Sequence, residues 1–105
     1  MTASRIDIFK QILETDQTNS AVLFGLAKEY EKAGLNEELI DALNRYLAAT
    51  DDEGNAYGML ARAYEKIDQR EKARETYQRG VEAAMKHGHP SMAEEYRMTL
   101  TDYED

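Results

Sequence analysis

The two histidines of the chain, His87 and His89, lie on either side of a glycine near the C-terminus. Imidazole is a common zinc ligand, but a zinc site needs further ligands at suitable spacing, and the chain contains no cysteine. We therefore interpret this pair as part of a helix junction, and we expect neither a metal site nor a cofactor. The sequence shows no nucleophile–histidine pattern and no glycine-rich phosphate loop, so it predicts a protein that is not an enzyme.

Helices must position any functional side chains, because helix-forming residues dominate and the chain has one proline and six glycines. Apolar residues recur at steps of three and four, which places them on one face of each helix. The pattern predicts helices over 4–15, 20–33, 36–49, 54–67, 70–86 and 90–103. The predicted inner faces carry Ile6, Phe9, Ile12 and Leu13; Leu23, Leu26, Ala27 and Tyr30; Leu39, Leu43, Tyr46 and Leu47; Tyr57, Leu60, Ala61 and Tyr64; Ala73, Tyr77, Val81 and Ala84; and Met92, Tyr96, Leu100 and Tyr103.

Local signals mark several helix ends. Ser4 is a candidate N-cap of the first helix, and Thr18 or Asn19 of the second. Gly34 follows the second helix, where a left-handed C-terminal glycine is common. Gly58 lies inside a predicted helix, where glycine costs about 1 kcal/mol relative to alanine. We therefore expect a neighbouring element to approach Gly58 closely.

The sequence repeats itself with a period of 34 residues. Residues 20–53 and 54–87 share eight identical positions, including a Leu-Ala-x-x-Tyr pattern that begins at Leu26 and at Leu60. A fixed period of this length is typical of a recurring helix–turn–helix unit, which must stack on a neighbour to bury its apolar face. A plain antiparallel bundle is the alternative, but it does not require the period.

The second copy resembles the tetratricopeptide repeat family. Leu60, Ala61 and Tyr64 match the leucine, small residue and tyrosine of that family's first helix. Ala73 and Tyr77 match the alanine and the aromatic residue of its second helix.

The first copy departs from the family pattern, because Leu39 and Tyr46 stand where the family prefers alanine and a small residue, and neither copy has the closing proline. These differences suggest local repacking within the same fold. The resemblance implies an all-α fold, an α-solenoid that forms a right-handed superhelix of about six antiparallel helices. It implies one domain over 1–105, made of a half-repeat helix at 1–19, repeats at 20–53 and 54–87, and a capping helix at 88–105.

In that family, the first helix of each pair lines a concave groove that binds peptides or helices of partner proteins. The resemblance therefore implies a peptide-binding groove formed by Phe24, Lys28, Lys32, Asn55, Arg62, Lys66, Met92 and Tyr96. Lys28 aligns with Arg62 across the repeats, and Lys32 aligns with Lys66, so a basic ladder is expected on an acidic protein. Such a groove suits an acidic or C-terminal segment of a protein partner.

These basic side chains have an alternative role. Glu31 lies three residues after Lys28, and Glu65 lies three residues after Arg62, so intrahelical ion pairs are expected if no partner binds. The net charge of −8 disfavours nucleic acid as a ligand. A solvated acidic surface is the simplest interpretation of this charge, and attraction of a basic partner is another.

No apolar run approaches membrane-spanning length, and the N-terminus lacks the layout of a signal peptide. We therefore expect a cytoplasmic protein that does not act in a membrane. Self-assembly without a peptide ligand is the alternative function, because half-repeats at both ends leave apolar surface to cover. In that case the first helix forms a homodimer edge through Ile6, Phe9 and Leu13, with Ile8 as an extra contact.

Overall fold

A computed structural model describes residues 4–104 of the chain, which form six α-helices. They are α1 (Arg5–Thr15), α2 (Ser20–Ala33), α3 (Asn36–Ala49), α4 (Asn55–Lys66), α5 (Arg70–Lys86) and α6 (Pro90–Thr101). No β-strand occurs in this described part of the chain. The prediction of an all-α fold with six helices is confirmed, while the ends of the predicted domain, residues 1–3 and 105, lie outside the described residues.

Side chains close to the helix ends satisfy backbone groups that the helices leave unpaired. The hydroxyl of Ser4 accepts a hydrogen bond from the backbone N–H of Asp7 at 3.1 Å. The side-chain oxygen of Asn19 accepts one from the backbone N–H of Val22, also at 3.1 Å. Gly34 ends α2 with a φ of 71°, in the left-handed region that glycine adopts without strain. The predicted caps at Ser4 and Asn19 and the predicted role of Gly34 are therefore confirmed.

The start of α4 depends on a residue that precedes the helix. One carboxylate oxygen of Asp52 accepts hydrogen bonds from the backbone N–H groups of Gly54, at 2.9 Å, and Ala56, at 3.0 Å. Gly54 has a φ of 131°, a conformation that side chains rarely adopt. The helix therefore begins at Asn55, one residue after the predicted start at position 54.

The chain forms two compact units, which divide between Asp51 and Asp52. Unit one contains α1, α2 and α3, with α2 packed against both of the others. Unit two contains α4, α5 and α6, with α5 in the equivalent central role. The division falls close to the predicted boundary between the repeats, and the finer division into half-repeat, repeats and capping helix stays a prediction.

Unit one has a leucine-rich core. It consists of Leu13, Leu23, Leu26, Ala27, Tyr30, Leu39, Ala42 and Leu43. The predicted inner face of α2 is therefore confirmed. On α1, Leu13 is buried, but Ile12 is 38% exposed, which contradicts its predicted inward position. The physical reason is that α1 packs mainly against α2, so a narrow stripe of α1 is covered.

The core of unit two forms around the ring of Tyr96 in α6. This ring lies against Gly58 of α4 and Gly80 of α5, where an added Cβ atom would lie 2.6 Å and 2.9 Å from the nearest Tyr96 atom. Its hydroxyl donates a hydrogen bond to the carbonyl oxygen of Gly54 at 2.8 Å, and its ring centroid lies 5.8 Å from that of Tyr77. The close approach predicted at Gly58 is thus confirmed.

Candidate protein-binding surfaces

In unit one, three cationic side chains surround a depression of about 330 Å³ between the start of α1 and one face of α2. Arg5 comes from α1, and Lys28 and Lys32 come from α2, where their four-residue spacing places them on the same face. We call this surface the cationic depression. Its remaining lining consists of Gly25, Glu29 and Glu31.

The charges of the cationic depression are incompletely balanced. One carboxylate, that of Glu29, lies between Arg5 at 3.6 Å and Lys32 at 3.7 Å. The side chains of Arg5 and Lys32 are 71% and 76% exposed, so these ion pairs are weak and both cations remain accessible. Lys28 lies 5.5 Å above the ring centroid of Phe24. The depression thus combines three cations with two carboxylates, in a chain whose net charge is −8.

Phe24 lies beside one of these cations, with its ring under Lys28. Its half-buried ring packs against Tyr46 of α3, with the ring centroids 5.0 Å apart and the rings tilted by 43°. The Phe24 ring therefore lies under Lys28 and also contacts α3. This arrangement brings Phe24, Lys28 and Lys32, three of the sequence-predicted binding residues, to one region of unit one.

In unit two, three further predicted binding residues lie along α4. Asn55 is the first residue of the helix, Lys66 is the last, and Arg62 lies between them, and all three are exposed. Glu65, the expected ion-pair partner of Arg62, instead accepts hydrogen bonds from the hydroxyls of two tyrosines. These are Tyr77, at 3.2 Å, and Tyr103.

The environment of these tyrosines changes their acidity. Burial, and then the negative charge of Glu65, raise the pKa of Tyr77 to about 12, while the positive charge of Arg62 acts in the opposite direction. Burial and the hydrogen bond to Glu65 also raise the pKa of Tyr103. Both hydroxyls therefore remain protonated donors at neutral pH, and they hold the Glu65 carboxylate on the α5 and α6 side of α4.

The two predicted binding residues of α6 lie inside unit two. Tyr96 is 7% exposed and fills the space above Gly58 and Gly80, so its ring offers no open binding surface. Met92 is partly buried and packs against the same core, with its sulfur close to Gly54. Met92 and Tyr96 share one face of α6, as their spacing predicts. This face packs inside unit two because Gly58 and Gly80 leave room for the Tyr96 ring.

Unit one also contains a larger surface that the sequence interpretation missed. Helices α1 and α3 border a cleft of about 610 Å³ above α2. Its floor is apolar, and its rim carries four carboxylates. We call it the acidic cleft; its lining consists of Lys10, Leu13, Glu14, Gln17, Leu26, Tyr30, Glu37, Glu38, Asp41, Ala42 and Arg45. The signal in the sequence was the spacing of three acidic residues with no intervening lysine. Asp41 follows Glu38 by three residues and Glu37 by four, so a helix brings each glutamate beside it.

The histidines do not form a metal centre in the part of the chain that the structure describes. No group of three or more potential metal-binding side chains occurs within residues 4–104. Instead, the imidazole of His89, just before α6, pairs with the carboxylate of Glu53, just before α4, at 2.6 Å. None of the helices described between residues 4 and 104 combines the length and the apolar character of a membrane span.

The helices define a tetratricopeptide-like helical-repeat fold. The chain is similar to a solved structure, the crystal structure of MamA, with a TM-score of 0.68 and 24% sequence identity. The match covers 94% of this chain and 66% of the MamA chain, so this chain spans just under two thirds of that protein. No family model matches the sequence, and no curated protein matches it. At this identity, the similarity establishes the fold.

Proposed function

We propose that the chain is a protein-interaction module that acts by binding, without a catalytic step. The tetratricopeptide-like fold supports this function because stacked helix pairs leave long helix faces available to partners. A fold alone does not determine a function, so the argument depends on the chemistry of the exposed side chains. The observation that carries it is the cationic depression, which presents Arg5, Lys28 and Lys32 on a strongly acidic chain.

The proposed ligand is an acidic segment of a protein, including one that ends in a free carboxylate. Lysine and arginine side chains bind carboxylates through charge-assisted hydrogen bonds. The half-buried ring of Phe24, next to Lys28, is proposed to contact an apolar side chain of the ligand. The exposed positions Asn55, Arg62 and Lys66 of unit two form a second proposed contact surface with the same charge preference.

A binding titration with defined peptides tests this proposal. The probes are a fluorescent glutamate-rich peptide with one central leucine, its C-terminally amidated form, and its lysine-rich counterpart. We expect the acidic probes to bind the natural chain, and the affinity to fall as salt screens the charges. Reversing two charges, Lys28→Glu with Arg62→Glu, is expected to abolish this binding while the helical circular dichroism stays unchanged.

Arg74→Glu with Arg97→Glu is the matched control, because it changes the net charge by the same amount. Both arginines pair with a glutamate on their own helix, and neither lines the cationic depression. Equal weakening by the two double variants would show that net charge alone attracts the probe, and the proposal would then fail. A difference between the free and amidated probes would show whether the terminal carboxylate contributes to recognition.

Self-assembly is the second candidate function, and exposed apolar residues on α1 favour it. Ile8 and Ile12, one helical turn apart, are 44% and 38% exposed. Leu13 is buried and Phe9 packs against Gly25, so we propose a dimer edge at Ile8 and Ile12, about 100° around α1 from the edge expected from the sequence. This function predicts a mass that rises with concentration in sedimentation experiments, and a return to the monomer mass in Ile8→Lys with Ile12→Lys. A monomer at all concentrations would eliminate it.

A further inference from the structure

The carboxylates on the rim of the acidic cleft have no cationic partners among the described residues. Within residues 4–104, Glu14, Glu37, Glu38 and Asp41 form no ion pair and no side-chain hydrogen bond. By contrast, arginines pair with glutamates on α5 and α6, and Glu29 contacts two cations. No direct ion pair therefore offsets the negative charge of the rim.

The two cations that line the cleft do not neutralise it. Arg45 donates a hydrogen bond to the backbone carbonyl of Gln17 at 3.3 Å, which directs its guanidinium to the end of α1. Lys10 is exposed on α1. The lining as a whole therefore retains two more carboxylates than cations.

Helix stability explains part of this arrangement but not all of it. Glu37 and Glu38 lie in the first turn of α3, where negative charge stabilises a helix. Asp41 lies beyond that turn. It follows Glu37 by four residues, and the repulsion between the two carboxylates costs roughly 0.2–0.5 kcal/mol. Glu14 lies near the C-terminal end of α1, where negative charge is unfavourable. Two of the four carboxylates therefore oppose local stability, which indicates a binding role.

The shape and composition of the cleft determine what it can bind. Its floor contains Leu13, Leu26, Tyr30 and Ala42, all of which are buried, so the apolar surface available to a ligand is small and charge must supply the recognition. A divalent cation is not favoured, because no group of these carboxylates within residues 4–104 could hold a metal ion. Nucleic acid carries the same sign of charge as the rim.

We propose that the acidic cleft of unit one binds a basic protein segment, with lysine or arginine side chains on the α1 and α3 rims and one apolar side chain over the floor. This surface is distinct from the cationic depression and has the opposite charge preference. Unit one would then have two docking surfaces for partners of opposite charge, one lined by α1 and α2 and the other bordered by α1 and α3.

The test uses a capped lysine-rich peptide with one central leucine, and it records amide chemical shifts of the full chain during a titration. We expect the largest changes at residues that line the cleft, with an affinity that falls as the salt concentration rises. The variant Glu14→Gln, Glu38→Gln and Asp41→Asn keeps the side-chain shapes and removes three charges. It is expected to weaken binding by about tenfold or more, at about 0.5 kcal/mol for each charge.

The matched control is Glu75→Gln, Glu82→Gln and Glu95→Gln, which removes three charges from exposed positions of α5 and α6. Binding that the control preserves and the cleft variant loses supports the proposal. Equal weakening by both variants, shift changes confined to α5 and α6, or no binding by the natural chain at low salt would each overturn it. The acidic probe used for the cationic depression should bind the cleft variant normally, so failure of one proposal does not imply failure of the other.

Discussion

At the scale of single residues, the space around Tyr96 explains both the packing of α6 and the loss of a predicted binding residue. The ring fits because Gly58 and Gly80 present no side chains toward it. The hydroxyl, which burial would otherwise penalise, donates a hydrogen bond to the carbonyl of Gly54. Burial also raises the pKa of Tyr96, so this donor remains protonated at neutral pH.

This arrangement predicts that Gly58→Ala destabilises the protein, although alanine is the better helix former. A methyl group would lie 2.6 Å from the Tyr96 hydroxyl oxygen, which forces the ring or α6 to move. Overpacking of this kind costs about 1–3 kcal/mol, against a gain of about 1 kcal/mol in helix propensity. We expect a net loss of about 1 kcal/mol in the free energy of unfolding, measured by urea denaturation.

Gly25→Ala is the control for that experiment. Its added methyl group would meet the ring of Phe9 at 3.1 Å, and Phe9 is half-buried on the terminal helix α1, where it can shift. We expect a stability change between zero and a gain of about 1 kcal/mol from helix propensity. A similar gain for Gly58→Ala would contradict the close packing of Tyr96.

The contact between His89 and Glu53 makes a prediction about pH. The hydrogen bond with His89, and then the positive charge of that imidazole, lower the pKa of the Glu53 carboxyl group from its ordinary value of 4.5. A carboxyl group with a lowered pKa in the folded state stabilises the fold above its unfolded pKa. This contribution is lost as the pH falls through the lowered value.

His89→Gln should therefore move the pKa of Glu53 up toward 4.5, as followed through the side-chain carbonyl shift in an NMR titration. An unchanged Glu53 titration in the variant would mean that the 2.6 Å contact does not persist in solution.

At the scale of elements, the start of α4 depends on Asp52. Asp52→Ala removes the acceptor for two backbone N–H groups, at Gly54 and Ala56, and should cost about 1 kcal/mol in the free energy of unfolding. Asp52→Asn retains a side-chain oxygen and should recover most of that loss. Chemical denaturation of the three proteins under identical conditions provides the measurement, and equal losses in both variants would show that charge, rather than the hydrogen bonds, is responsible.

The elements themselves were largely predictable from the sequence, because their signals are local. The spans predicted for α2, α3 and α5 agree with the structure, and Asn19 and Gly34 act at the ends of α2 as predicted. The start of α4 was less predictable, because the positive φ of Gly54 and the side chain of Asp52 together determine it.

The candidate binding residues were predictable only in part, because burial depends on contacts between elements. Lys28 and Arg62 are exposed at positions that the helical spacing alone could suggest. Tyr96 has the same kind of spacing on its helix, but the absence of side chains on two other helices allows its ring to enter the core. The residue pattern of one helix cannot reveal the space that other helices leave for this ring. Nor can it reveal that α1 and α3 border a cleft above α2.

At the scale of the whole molecule, the net charge of −8 is unevenly neutralised. Arginine–glutamate pairs on α5 and α6 offset part of the carboxylate charge of unit two, and a tyrosine hydroxyl there donates a hydrogen bond to the Glu65 carboxylate. In unit one, the carboxylates of the acidic cleft have no such partners within the described residues. Repulsion among them should therefore be a measurable part of the total stability of the protein.

Removing this repulsion should stabilise the chain while it weakens binding. We expect the cleft variant Glu14→Gln, Glu38→Gln and Asp41→Asn to unfold at a slightly higher temperature than the natural chain. The net gain should be up to about 0.5 kcal/mol, because losing the favourable charge of Glu38 at the start of α3 offsets part of the relieved repulsion. The gain should shrink as salt is added, because screening already relieves repulsion in the natural chain. Thermal unfolding followed by circular dichroism, at low and high salt, measures both effects.

The control for this prediction removes carboxylates that do have partners. Glu71→Gln with Glu94→Gln breaks the pairs with Arg74 and Arg97, and it should lower the unfolding temperature slightly or leave it unchanged. A loss of stability in the cleft variant would mean that its carboxylates support the fold. A gain of stability together with a loss of basic-peptide binding is the result expected of a surface that is maintained for binding at the expense of stability.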